Sequence, residues 1–73
     1  MIINCFYIKD SSDSNVPAAN AYCTKTIQGI PGEHFNLKTS GGEVAMVCLG
    51  ELEYENEEHL RDKIKTQMEV LGL

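Results

Sequence analysis

The chain has 73 residues, with 11 acidic and 6 basic side chains and a formal net charge of −5. That length holds one domain and one core, and such a small domain buries only about 60% of its unfolded surface, so association with a partner would stabilise it. Without a Lys/Arg surface, direct binding to nucleic acid or to anionic membranes is disfavoured, and no apolar stretch approaches the length of a membrane span.

Ile2 to Lys9, IINCFYIK, is rich in β-branched and aromatic residues and reads as a strand. Ile2, Asn4, Phe6 and Ile8 share one face, and Ile3, Cys5 and Tyr7 the other. Both faces are largely apolar, which predicts a central strand or one packed at an interface. Asp10 to Asn15 is a polar loop. Val16 to Gln28 supports two readings. Pro17, the alanines at 18, 19 and 21, and Gly29 as a stop permit a short helix with Ala19, Tyr22, Cys23 and Ile27 inward. Tyr22 to Ile27 is nevertheless a better strand sequence than helix sequence. In the strand reading, which is preferred, Ala19, Ala21, Cys23, Lys25 and Ile27 lie on one face and Tyr22, Thr24 and Thr26 on the other.

Gly29-Ile30-Pro31-Gly32 is a tight turn. Glu33 to Thr39 alternates, with Phe35 and Leu37 inward and His34, Asn36 and Lys38 outward. Ser40-Gly41-Gly42 then closes a hairpin. Val44 to Leu49 is an unbroken apolar or small run bounded by glycines, which fits a central strand covered on both faces. After Gly50, Glu51, Glu53 and Glu55 alternate with Leu52 and Tyr54, extending the strand with one face in water.

The period then changes. Asn56 is placed to cap a helix, because its side-chain oxygen can accept from the free N–H groups of the first turn. Glu57 and Glu58 follow where the helix dipole favours carboxylates. Leu60, Ile64, Met68 and Leu71 form an apolar stripe, widened by Val70 and interrupted by Gln67. Arg61, Asp62, Lys65, Thr66 and Glu69 fall on the far side, Glu57 and Arg61 pair at i,i+4, and Gly72 ends the helix. The predicted fold is α+β: a small, mostly antiparallel sheet of three to four strands in the order β-β-β-β-α, covered on one apolar face by the C-terminal amphipathic helix. The order β-α-β-β-α is the alternative.

Cys5, Cys23 and Cys48 are an odd number without close spacing and sit among apolar neighbours. Separate burial is the plain reading. A reactive thiolate needs a positive neighbour or a helix N-terminus, and none of the three has one in sequence. A cross-sheet approach of Cys5 to Cys48 is geometrically allowed. With no basic leader preceding the first strand, the expectation is a cytoplasmic protein with reduced thiols. His34 and His59 have no CxxC or HxxxH partners of the kind a zinc site uses, so no metal or cofactor is expected. His59 reads as a solvated residue of the first helical turn, and His34 as facing Glu33 or Glu43 across the hairpin. The glycines match neither phosphate-binding spacing and read as turns.

The feature that stands out is charge. Residues 51–73 carry seven acids and three bases, and five glutamates lie between Glu51 and Glu58. A solvated strand edge and helix start is the plain explanation. The functional one is an acidic patch of Glu51, Glu53, Glu55, Glu57 and Glu58 that docks on Lys/Arg of a partner, with Tyr54 and Tyr7 as aromatic anchors. Strand spacing sets Glu51, Glu53 and Glu55 roughly 6.5 to 7 Å apart, near the repeat of every second phosphate of one strand at about 3.4 Å per step. In size, charge and predicted layout the chain is similar to small phage or mobile-element proteins that inhibit host machines, such as anti-CRISPR proteins and phage inhibitors of RNA polymerase. The likeness is one of type and carries no residues. A non-enzymatic binding protein is the leading expectation. A homodimer or subunit of a larger complex is the second, and a small Cys/His enzyme the third.

Overall fold

The computed structural model describes residues 1–9 and 21–73. The polar loop at Asp10–Asn15 and the stretch from Val16 to Asn20 lie outside the described residues. Strands β1 (Ile2–Ile8), β2 (Ala21–Thr24), β3 (His34–Thr39) and β4 (Gly42–Glu53) precede helix α1 (Glu57–Leu71). The strands form one antiparallel sheet in the order β2-β1-β4-β3. The two segments that are apolar on both faces, β1 and β4, occupy its centre. That follows because only an inner strand can bury both faces and saturate both edges of its backbone.

Both faces carry an apolar cluster. Cys5, Leu49, Leu52 and Ile64 form the core beneath α1, with Ile3, Tyr7, Ala21, Cys23, Leu60, Met68 and Leu71 packed against it. Phe6, Met46 and Cys48 form a second core on the opposite face, joined by Ile8, Ile27, Phe35, Leu37 and Val44. Phe6 and Phe35 meet edge to face with centroids 5.2 Å apart. Among the described residues no helix covers this second face. The chain leaving β2 at one edge must reach β3 at the other, and it crosses the sheet over Phe6 and Cys48. Its path needs Gly29, where a Cβ would stand 2.6 Å from the Phe35 ring. Ile30 to Glu33 then close a turn, with the Glu33 N–H donating to the Ile30 carbonyl at 2.9 Å and Gly32 at φ 88°.

One irregularity decides which way the acidic end points. The partner of Cys5 on β4 is Gly50, whereas the partner of Phe6 is Cys48, so Leu49 is an extra residue. Leu49 and Leu52 therefore both face α1, and Glu51 and Glu53 turn to the other face, opposite Asn4 and Ile2. Gly50 adopts φ 89°, and a Cβ there would lie 2.7 Å from the Pro31 ring.

Helix α1 begins and ends where its sequence predicts. The Asn56 Oδ1 accepts from the His59 N–H at 2.9 Å. Gly72 is left-handed at φ 74°, and the Leu73 N–H returns to the Met68 carbonyl at 2.9 Å. Val70 does not widen the buried stripe, since it is 73% exposed. The stripe through Leu60, Ile64, Met68 and Leu71 already spans the contact with the sheet.

Two further expectations are corrected. The preferred strand at Tyr22–Ile27 ends at Thr24, where the Thr24 hydroxyl accepts from the Thr26 N–H at 3.1 Å and turns the chain. Ile27 consequently joins the second core, not the face of Ala21 and Cys23. The three cysteines are not all free thiols. Cys5 and Cys23 are direct cross-strand partners on β1 and β2 and are disulfide-bonded, while Cys48 is free and buried. The bonded pair lies at a sequence separation of 18, so no local spacing announces it; the antiparallel register makes them neighbours.

Candidate functional site

The end of β4, the following turn and the start of α1 converge at one end of the molecule. Glu51, Glu53, Glu55, Glu57 and Glu58 are all exposed there, and Tyr54 is half-buried. The chain places these carboxylates in three settings. Glu51 and Glu53 alternate with buried Leu52 on the last residues of β4. Glu55 is not the third rung of that ladder, because the strand stops at Glu53. The Glu55 N–H instead donates to the His59 Nδ1 at 3.1 Å, inside the turn that Asn56 caps. Glu57 and Glu58 occupy the first turn of α1, where the partial positive charge of the helix end offsets their mutual repulsion. The expected match to alternate phosphates thus reduces to one pair of rungs.

Basic counter-charge is sparse at this end. Among the described residues the one ion pair is Arg61 with Glu57, at 3.4 Å between two exposed side chains, a contact worth little in water. A shallow surface depression at this pair is lined by Glu57, Glu58 and Arg61.

The register adds two residues that sequence patterning missed. Ile2 lies directly opposite Glu53 and is 55% exposed. Asn4 lies between Thr24 and Glu51 on the same face and is 5% exposed, with its Oδ1 lacking any hydrogen-bond partner. Only the pairing of β1 with β4 brings them to the glutamates, so periodicity within β1 holds no trace of it. Tyr54 is tied into the end of the sheet through its backbone, which accepts from the Met1 amine at 2.9 Å and donates to the Met1 carbonyl at 2.8 Å. Tyr7 belongs elsewhere. It packs in the core beneath α1, opposite Val47 and Ala21, and cannot anchor a partner at the acidic end.

The nucleophile and metal candidates separate in space. Cys48 and His34 lie on opposite faces of the sheet, because His34 pairs with Val47 and Cys48 is the next residue along. Burial pushes the Cys48 thiol above the ordinary thiol range. The Gly50 N–H, donating to its sulfur at 3.2 Å, partly offsets this, and the charge of Glu33 adds to the rise. Cys48 is therefore a protonated thiol at neutral pH. His34 does not face Glu43, whose partner is Lys38, and Glu33 uses its carboxylate to accept from the Ile30 N–H at 3.0 Å. His59 is half-buried and holds the Glu55 N–H. Among the described residues no three His, Cys, Asp or Glu side chains cluster as metal ligands. None of their helices is long and apolar enough to cross a membrane.

No known protein family matches the chain, and comparison with curated proteins and with solved structures likewise returns no match.

Proposed function

We propose that this chain is a non-enzymatic binding protein whose acidic end docks on a basic surface of a larger protein. The supporting observation is the gathering of five exposed carboxylates by the end of β4 and the start of α1, where Arg61 with Glu57 is the one ion pair among the described residues. Exposed Ile2 beside Glu53 supplies an apolar contact within the charged rim, the usual division of labour at an interface. A surface that otherwise holds a nucleic-acid backbone has the complementary charge. Blocking it would make the chain an inhibitor of the kind its size and charge resemble. Direct nucleic-acid or anionic-membrane binding is disfavoured by the net charge of −5, and the reading invokes no cofactor. The cytoplasmic expectation included reduced thiols; the Cys5–Cys23 disulfide departs from that part of it, and we propose no compartment.

The test is an affinity capture with the wild-type chain and with a bait carrying Glu51→Lys, Glu53→Lys, Glu55→Lys and Glu58→Lys. The expected result is one nucleic-acid-handling complex held by the wild type, released by salt or by a polyanion, and absent from the charge-reversed bait. The same partner on both baits would place the contact elsewhere and overturn the reading.

A further inference from the structure

Strand β3 is an edge strand. One side pairs with β4, and among the described residues no strand pairs with the other. The Cys48 N–H donates to the Glu33 carbonyl at 2.7 Å, which marks a hydrogen-bonded position of this ladder. Such positions recur every second residue in antiparallel pairs. Phe35 and Leu37 therefore aim their backbone groups at β4, and His34, Asn36 and Lys38 aim theirs outward. These three residues are exposed. The usual protections of an edge are scarce here. The strand has no proline and no positive φ, and its register with β4 has no shift. Its one charge, Lys38, lies opposite Glu43.

We propose that β3 pairs antiparallel with β3 of a second copy of this chain, about a two-fold axis at Asn36, so that the two sheets become one. Register and the apolar cluster support a second copy, and the position of the charge does not oppose it. With the axis at Asn36, Asn36 meets its own copy and His34 meets the second copy's Lys38. Every outward-facing backbone group from 34 to 38 then finds a partner. Phe35 falls opposite the second copy's Leu37 on the face of Phe6 and Met46. Both are half-buried in the single chain, and pairing carries that apolar cluster across the axis. The charge argument concerns position. β3 pairs with the Gly42–Val47 half of β4, and the five-glutamate cluster lies past Gly50 at the other end. Two chains of net charge −5 can therefore join along this edge with their acidic ends apart. The inference rests on the sheet edge alone and is independent of acidic docking.

The test combines sedimentation equilibrium with engineered thiols. Cys48 is buried and Cys5 is bonded to Cys23, so a thiol placed on β3 is the accessible one. The wild type is expected to sediment at twice the chain mass. Asn36→Pro, whose lost N–H points away from β4, is expected to keep its circular dichroism and sediment as a monomer. Asn36→Cys should cross-link to itself about tenfold or more faster than His34→Cys or Lys38→Cys alone, because a disulfide needs Cα atoms within roughly 7 Å. Mixing the His34→Cys and Lys38→Cys chains should restore the fast rate. A wild type that stays monomeric across the dilution series overturns the proposal. So does a folded Asn36→Pro dimer, or an Asn36→Cys chain that cross-links no faster than the other two.

Discussion

The two faces of the sheet are covered by opposite means. Beneath α1 a regular helix lays one stripe of side chains on Cys5, Leu49 and Leu52. On the other face an irregular crossover packs Ile27 on the cluster of Phe6 and Cys48, brings Gly29 against Cys48 and Pro31 against Gly50, and the Phe35 ring from β3 meets Phe6 edge to face. The helix satisfies its own backbone and needs only side-chain contact. The crossover has no ladder of its own, so it borrows one: the Gly32 N–H donates to the Cys48 carbonyl at 2.8 Å and the Cys48 N–H to the Glu33 carbonyl at 2.7 Å. An apolar face can thus be closed by a loop, provided its backbone groups are paired and glycine lets it approach.

The largest test of this comparison truncates each core. Phe6→Ala and Ile64→Ala should each lower unfolding free energy by about 3 to 4 kcal/mol in urea titrations. A loss below about 1 kcal/mol for Phe6→Ala would mean that the crossover face is loosely packed, far from the 2–5 kcal/mol range of buried truncations. The disulfide comes next, because it ties edge strand β2 to the helix-covered core. Replacing Cys5 and Cys23 together by alanine should cost about 3 kcal/mol, and amide exchange should accelerate in β2 more than in β3. Equal acceleration in both strands would show that the bond steadies the whole sheet.

Gly50→Ala strikes the residue that the two faces share. A left-handed backbone and the approach of Pro31 together predict a loss of about 2 kcal/mol in thermal or urea unfolding. A neutral substitution would refute the bulge. The smallest effect is that of pH on Cys48. Its raised pKa means that the folded chain holds this proton more tightly than the unfolded chain. The associated stability is complete below the unfolded thiol's pKa, roughly 8.5, and is lost as pH rises through the folded value. Melting temperature should fall faster above that pH in the wild type than in Cys48→Ala. Parallel curves would show that the crossover leaves Cys48 solvated.

Much of the helix-covered face is legible in the chain. Asn56, the stripe from Leu60 to Leu71 and Gly72 act over one or two turns, so local sequence holds the whole cause of α1. The alternation of Phe35 with Asn36, and of Glu51 with Leu52, is likewise local and survives folding. The second face is not legible in this way. Nothing in Gly29-Ile30-Pro31-Gly32 beyond its turn chemistry says that it will lie against Cys48 and Gly50, because that depends on β2 and β3 taking opposite edges. At the acidic end, the five glutamates were visible as a cluster, whereas Ile2 and Asn4 became their neighbours only through the β1–β4 register.

By itself the sequence determined the ends of α1, the central rank of β4, and the concentration of negative charge after Gly50, and it favoured the element order that the structure has. These follow from periodicity, capping and composition, which act within a few residues. Tertiary structure alone decided the Cys5–Cys23 bond, the crossover that buries Cys48, and the extra residue at Leu49 that turns Glu51 and Glu53 away from the helix. Each depends on which residue of a distant strand stands opposite. A shift of one residue in that pairing exchanges the two faces of a strand, and the chain's local pattern reads the same before and after it.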